Sequence, residues 1–314
     1  MRALVSVIIP VYNKERYVAR ALDSVLNQSY PKLEVLIVDD ASQDGSLDRV
    51  AAFQDPRVRV LKRSVPGPGG YAARNYGIKE ARGDWVAFLD ADDIWMANHL
   101  DQAMSIALRY PDVPIISAAR LTQKGSQQQL DPYGQRYMRQ GPQVLYLTDY
   151  LQHACMGLRA MGTNSVLLKR SALVTHCVFP AGRTDRSGDL YAWVALLARL
   201  KLMVWSPHVA SIYSGDMQGV SRNSTPSIEL FRHMVDELRP CLCDEEARWL
   251  RLYANKMIKY AWLEQKKKRV SLPLFRLPGA LFWRNNVGYC LKWTLISLVP
   301  FGVLEWMKQR FSSE

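Results

Sequence analysis

Near its start the chain alternates short apolar runs with one-sided helical patterns. Val5-Ser6-Val7-Ile8-Ile9 reads as a buried strand that ends at Pro10. Val18, Ala21, Leu22, Val25 and Leu26 then recur at i, i+3, i+4, i+7 and i+8, the spacing of a helix with one apolar face. Leu33 to Val38 is a second apolar run, Val58 to Leu61 a short third, and Trp85 to Leu89 a fourth; helix-compatible residues begin at Tyr71. Strands alternating with helices predict a largely parallel sheet with helices on both faces. Such sheets bind ligands at the carboxyl ends of their strands. Polar clusters stand at those ends: Tyr12-Asn13 after the first strand, Asp39-Asp40 after the second, Asp90-Ala91-Asp92-Asp93 after the fourth.

Farther along the pattern weakens. Gln123 to Gln143 is polar and Gly-rich and is expected to be a mobile loop. Asn164 to Leu168 again reads as a strand and Leu190 to Leu200 as a helix. From about Asn223 the chain is expected to be helical, apolar and basic. Lys266-Lys267-Lys268-Arg269 precedes Leu272, Leu274, Phe275, Leu277, Leu281, Phe282 and Trp283. The uncharged run Trp293 to Leu304 is interrupted by Pro300 and falls short of the roughly 20 residues a spanning helix needs.

Length and composition change this picture little: 314 residues with 48% hydrophobic and 22% charged content fit a globular chain with a sizeable core. Charge adds more. Of the net +12, most sits in the last fifth, where residues 251–314 carry twelve Lys and Arg against three Glu. An anionic membrane, an anionic substrate or nucleic acid would each answer to such a tail; no nucleic-acid module accompanies it, so none is expected as a partner. The five cysteines form no C-x-x-C pair and suit free thiols in a reducing cytoplasm. No signal peptide is expected, because Arg2 alone precedes the first apolar run and polar residues follow at once.

The sharpest chemical signal is Asp90-Ala91-Asp92-Asp93. Carboxylates separated by one small residue repel one another unless a cation or protons compensate. Placed at a strand end, they suit Mn²⁺ or Mg²⁺, which favour oxygen ligands shared with phosphates. Without that placement a solvated acidic turn would be the better reading. Asp40 reads equally well as an acceptor for a uracil imide N–H and as a turn or cap residue. Val65 to Asn75 is a Gly-rich loop entering a helix, where backbone at Gly69-Gly70 can approach a ligand closely and Arg74 could reach a diphosphate or ribose; alone it is a plain turn. Asp189 precedes an apolar helix and reads either as an ordinary cap or as a general base.

Taken in order, Val5 to Asn13, Leu26-Asn27-Gln28-Ser29, Val38 to Ser46, Ala73-Arg74-Asn75 and Phe88 to Asp93 resemble family 2 inverting glycosyltransferases of the GT-A fold. The resemblance covers the first 110 residues or so and extends weakly to about residue 220. It implies a GT-A domain over 1–222, with a nucleotide-binding half (1–115) and an acceptor-binding half (116–222), followed by a helical extension over 223–314. It further implies that Pro10 and Tyr12 line the nucleoside pocket, that Asp40 binds uracil and that Arg74 sits near the nucleotide. Asp90 and Ala91 would lie near ribose or donor sugar, and Asp92 would reach a metal held by the diphosphate. Asp189 matches the position of the catalytic base. Family members commonly place Glu before it; here Gly188 stands there, with Asp185 the nearest spare carboxylate. Q-x-x-R-W, which follows the base in processive members, is absent.

The expected activity is therefore inverting transfer of one sugar per encounter. The donor would be a nucleotide-sugar, of UDP type, and the acceptor a saccharide or lipid-linked saccharide, at the inner membrane face, in bacterial surface-polysaccharide assembly. Two other readings remain: a sugar nucleotidyltransferase, against which Pro10-Val11-Tyr12-Asn13 stands where a phosphate loop would be, and a non-catalytic saccharide-binding protein.

Overall fold

A computed structural model describes residues 2–173, 175, 177–214, 224–268, 270, 272–284, 286–299 and 302. Arg269, Pro300, Phe301, Val303 and Leu304 of the runs noted above, and the expected boundary at 222/223, lie outside the described residues.

Strands β1 (Val5–Val11), β2 (Leu33–Asp39), β3 (Val58–Lys62) and β4 (Trp85–Phe88) lie in the order β3-β2-β1-β4, all parallel. The register pairs Val11 with Asp39 and Ile8 with Phe88, so the three polar clusters leave the sheet along one rim. Beyond β4 come β5 (Ile94–Trp95), β6 (Ile115–Lys124), β7 (Gln127–Leu130), β8 (Gln143–Tyr146), β9 (Leu167–Lys169) and β10 (Leu202–Ser214). The order continues β4-β9-β6-β10-β5, with β7 on β6 and β8 on β10. Here β6 and β10 run parallel, while β9 is antiparallel to both its neighbours and β5, β7 and β8 pair antiparallel.

Period-two alternation divides β1 between two cores. Val5, Val7, Ile9 and Val11 face α1 (Val18–Leu26) and α4 (His99–Arg109). The apolar face of α1 is the one its spacing predicts: Val18, Ala21, Leu22 and Val25 are fully buried. Each of its larger side chains contributes about 1.5–3 kcal/mol by leaving water. On the other face Ile8, Leu36, Val38 and Phe88 meet α3 (Tyr71–Glu80), α6 (Leu147–Cys155) and α7 (Gly188–Leu200). The carboxyl-terminal helices α8 (Ile228–Leu238), α9 (Asp244–Lys267) and α10 (Arg276–Ala280) place Phe231, Tyr253, Ile258 and Leu277 in that same core. A last helix, α11 (Val287–Ser297), rests on it through Cys290.

Two expectations need correcting. Gln123–Gln143 is not a loop. It holds the end of β6, the hairpin strand β7, and helix α5 (Pro132–Tyr137), capped by Asp131, whose side chain accepts from the N–H groups of Tyr133 and Gly134. Asn164 does not begin a strand; Thr163–Ser165 is a 3-10 turn and β9 starts at Leu167.

Candidate active site

A cavity of about 410 Å³ opens on the carboxyl rim of β1, β2 and β4. Its walls include Pro10 near the end of β1, Tyr12 and Lys14 after it, Asp40 after β2, the Pro66–Gly70 loop with Arg74, and Asp90, Ala91 and Asp92 after β4. Tyr213 and Ser214 close the far side. The structure thus gathers every residue expected at the nucleotide-sugar and metal positions into one space. Three of the loops around it hold a non-glycine residue in the left-handed region: Asn13, Ala41 and Ser187. Backbone strain of this kind costs on the order of 1–3 kcal/mol each and persists where surrounding contacts fix the conformation.

Asp40 is buried, and its carboxylate accepts from Arg63 and, at 2.9 Å, from the Gly67 N–H. The Gly67 bond ties the Gly-rich loop to the end of β2 at the cavity wall. A carboxylate has about four lone-pair sites, so these two bonds leave Asp40 some acceptor capacity. Gly69 and Gly70 are both left-handed, a conformation that glycine takes without strain. Arg74 donates to the Gly69 carbonyl at 2.8 Å and to the Asp90 carboxylate. Burial disfavours the Arg74 charge, but Asp90 more than compensates and lifts its pKa.

The three aspartates of the cluster have three different partners. Asp90 faces Arg74; Asp92 Oδ2 lies 2.5 Å from Lys14 Nζ, while its carbonyl accepts from Arg20 at 3.0 Å. Asp93 turns inward and is buried. It accepts from Asn164 and from the Ser214 N–H at 2.8 Å, and burial, with Asp90 and Asp92 nearby, pushes its carboxyl up to about 8.

No group of three or more His, Cys, Asp or Glu converges among the described residues. A cation such as Mg²⁺ or Mn²⁺ can keep water and phosphate ligands while taking a single carboxylate from the protein. Asp92, half-exposed at the cavity wall, is the group that would hold it, once Lys14 gives way.

Asp189, on the first turn of α7, stands just outside the cavity lining. Burial raises its carboxyl pKa, opposed by the charges of Arg159 and Arg74. Its location depends on Tyr71, whose ring follows the Gly-rich loop and whose hydroxyl accepts from the Gly188 N–H at 2.8 Å. Tyr71 stacks on Phe179 at 6.2 Å, and Asn75 pins Phe179 by two backbone hydrogen bonds, 2.8 and 2.9 Å. A Cβ at position 188 would stand 2.8 Å from Tyr71 Cζ and 2.9 Å from Pro180 Cγ. The absence of Glu there is thus a packing matter: the ring that orients Asp189 fills the space. Asp185 is exposed.

The sequence profile of glycosyl transferase family 2 matches residues 6–165. The chain belongs to that family. A family 2 relative from Escherichia coli, the UDP-Glc:alpha-D-GlcNAc-diphosphoundecaprenol beta-1,3-glucosyltransferase WfgD, is 42% identical over 106 residues, which are 34% of this chain and 42% of WfgD. The chain thus spans well under half of the curated relative's length. Among solved structures, S. aureus TarS 1–349 in complex with UDP-GlcNAc superposes with a TM-score of 0.73 at 17% identity, covering 94% of this chain and 89% of that one. The mannosyltransferase PcManGT from Pyrobaculum calidifontis, in complex with GDP-Man and Mn2+, gives 0.55 at 21% identity over 100% of this chain and 89% of its own. The fold is that of the GT-A glycosyltransferases, with carboxyl-terminal helices added.

The family 2 match ends at Ser165 and so includes a residue that sequence reasoning missed. Asn164 is buried, and its Oδ1 accepts from the Asp90 N–H at 2.8 Å, its Nδ2 donates to Asp93, and its carbonyl accepts from Trp95 Nε1 at 2.8 Å. One side chain therefore fixes both ends of the aspartate turn. A polar residue inside an apolar stretch (Val166, Leu167 and Leu168 follow) was the available signal. Lys14 was also missed; charged residues after a strand are too common to single it out.

Proposed function

We propose that this chain is an inverting glycosyltransferase that moves one sugar from a UDP-sugar to a hydroxyl of a saccharide or lipid-linked saccharide in bacterial surface-polysaccharide assembly. The observation that carries the reading is the convergence of Tyr12, Asp40, Arg74, Asp90 and Asp92 on one cavity, with Asp189 beside it. WfgD's named reaction, on a diphosphoundecaprenol-linked sugar, supports the acceptor class, and the UDP-GlcNAc of TarS supports the donor class.

Tyr12 and Pro10 flank the nucleoside, and Asp40 accepts a base N–H. Arg74 and Lys14 place positive charge where a diphosphate would lie. Asp92 would hold a divalent cation, which when bound would help to neutralise the leaving nucleoside diphosphate. Asp189 takes the proton of the acceptor hydroxyl; its oxygen bonds to the anomeric carbon as the bond to the diphosphate oxygen breaks, giving an inverted glycoside and UDP. A carboxylate raised by burial is a stronger base than one in water, which suits this step.

The test measures UDP release with a panel of UDP-sugars and saccharide acceptors in Mn²⁺ or Mg²⁺. Asp189→Asn is expected to abolish transfer while a UDP-sugar still raises the melting temperature. Asp92→Ala is expected to remove the dependence on metal. Normal turnover by Asp189→Asn sinks the base assignment; release of pyrophosphate in place of UDP makes the chain a nucleotidyltransferase.

A further inference from the structure

Helix α11 wears its apolar residues on the outside. Val287, Leu291, Leu295 and Leu298 recur along one face at i, i+4, i+8 and i+11 and are 55%, 50%, 65% and 47% exposed. The face turned inward carries Cys290 and Ser297, which are buried, with Tyr289 and Trp293 half-buried against the core. A helix that only packed on the core would turn polar residues outward in place of this aliphatic row. A row of large aliphatics in water marks a surface that something covers.

Charge beside the row says what kind of surface covers it. Lys292 lies on α11 itself, Lys259 of α9 sits 4.9 Å above the Trp293 ring, and Lys256 borders a cavity of about 340 Å³ that reaches Asn286 and Tyr289 at the start of α11. That cavity also runs past Trp249, Leu252 and the exposed Met156. Lys256, Lys259 and Lys292 are close enough that burial and mutual repulsion lower the Lys259 pKa. Helix α11 carries no acidic residue. Aliphatics flanked by lysines, with Tyr and Trp between them, match a bilayer: acyl chains, anionic headgroups and the layer where aromatic rings sit. A symmetric second copy would bring six like charges together, which opposes that occupant.

We propose that the α11 face, with Lys256, Lys259 and Lys292, docks the protein on a membrane containing anionic lipid. Before α11, Leu277 and Leu281 are buried in the core and Lys267 pairs with Glu264, while Leu274, Phe275 and Trp283 are exposed.

The experiment is co-sedimentation of the full chain with phosphatidylcholine vesicles, with and without 30% phosphatidylglycerol, together with analytical ultracentrifugation. Expected is binding to the anionic vesicles only. Lys256→Gln with Lys292→Gln weakens it about thirtyfold, the effect of two near-surface lysines. Leu291→Ser with Leu295→Ser weakens it on the order of a hundredfold. All four positions lie outside the proposed active site, so UDP release to a water-soluble acceptor and the melting temperature stay at wild-type values and report folding separately. Absence of binding to either vesicle, binding that ignores both double variants, or a concentration-dependent dimer that the leucine variant dissolves would each overturn the proposal. The vesicle measurement needs no donor, so its failure leaves the transferase reading standing.

Discussion

Gly188→Ala separates two accounts of why glycine precedes Asp189. If position 188 were merely the first residue of a helix, alanine would stabilise the protein by up to about 1 kcal/mol, since glycine is the poorer helix former. The structure predicts the opposite sign. The added Cβ would lie 2.8 Å from Tyr71 Cζ and 2.9 Å from Pro180 Cγ, both too close without movement. Overpacking at such a site costs about 1–3 kcal/mol. Displacing Tyr71 also weakens its hydroxyl's bond to the Gly188 N–H, now 2.8 Å, worth about 1 kcal/mol. A net loss of about 1–3 kcal/mol is expected in urea unfolding. Because Asp189 rides on the same turn, an ångström of displacement lowers kcat on the order of a hundredfold. Gly188→Glu, which restores the acidic pair common in the family, is expected to be worse on both counts. In a Tyr71→Ala background the cost of Gly188→Ala should shrink, whereas Tyr71→Phe keeps the ring and should not help. A Gly188→Ala enzyme that is more stable and as active as wild type refutes the packing account.

Three further outcomes are expected. Asn164→Ala removes the acceptor of the Asp90 N–H and a donor to buried Asp93, costing about 3 kcal/mol in urea unfolding and weakening UDP-sugar binding by calorimetry; a loss under about 1 kcal/mol would show that the turn holds itself. Lys14→Met frees the Asp92 carboxylate, so Mn²⁺ affinity read by electron paramagnetic resonance should rise about fivefold while affinity for UDP falls; unchanged Mn²⁺ binding places the metal away from Asp92. His99 and His208 touch at 3.0 Å, and burial lowers both, His208 to about 4. The unfolded chain therefore binds more protons than the folded one between about pH 6.5 and pH 4, and stability should fall with acidification through that window. A His208→Gln variant should lose much of this slope; an unaltered slope assigns it to other groups.

What could be read in advance follows from where the information lies. Strands β1, β2 and β4 are mostly apolar, interrupted by the hydrogen-bonded Ser6 and Glu34, because helices cover both their faces, and each leads into the polar residues of the rim. The cavity was legible for that reason. Strand β7 was not, because Gln127, Gln128 and Gln129 are exposed and carry no apolar alternation; its backbone bonds to β6 hold it. Pro132 after Asp131 was a readable helix start inside the same stretch. Asn164 and Lys14 act through partners about 70 or more positions away, which no local pattern encodes. The place of Gly188 depends on Tyr71, 117 residues earlier, and needed coordinates.

The shared core of the sheet and the carboxyl-terminal helices limits how this protein is engineered. Tyr253, Ile258 and Leu277 lie in one packed cluster with Phe88 and Trp193. Exchanging the last third with that of a relative, to borrow its acceptor preference, would leave mismatched side chains under the catalytic rim itself. Chimeras cut near residue 223 should therefore come out insoluble unless the facing residues of α6 and α7 travel with the graft.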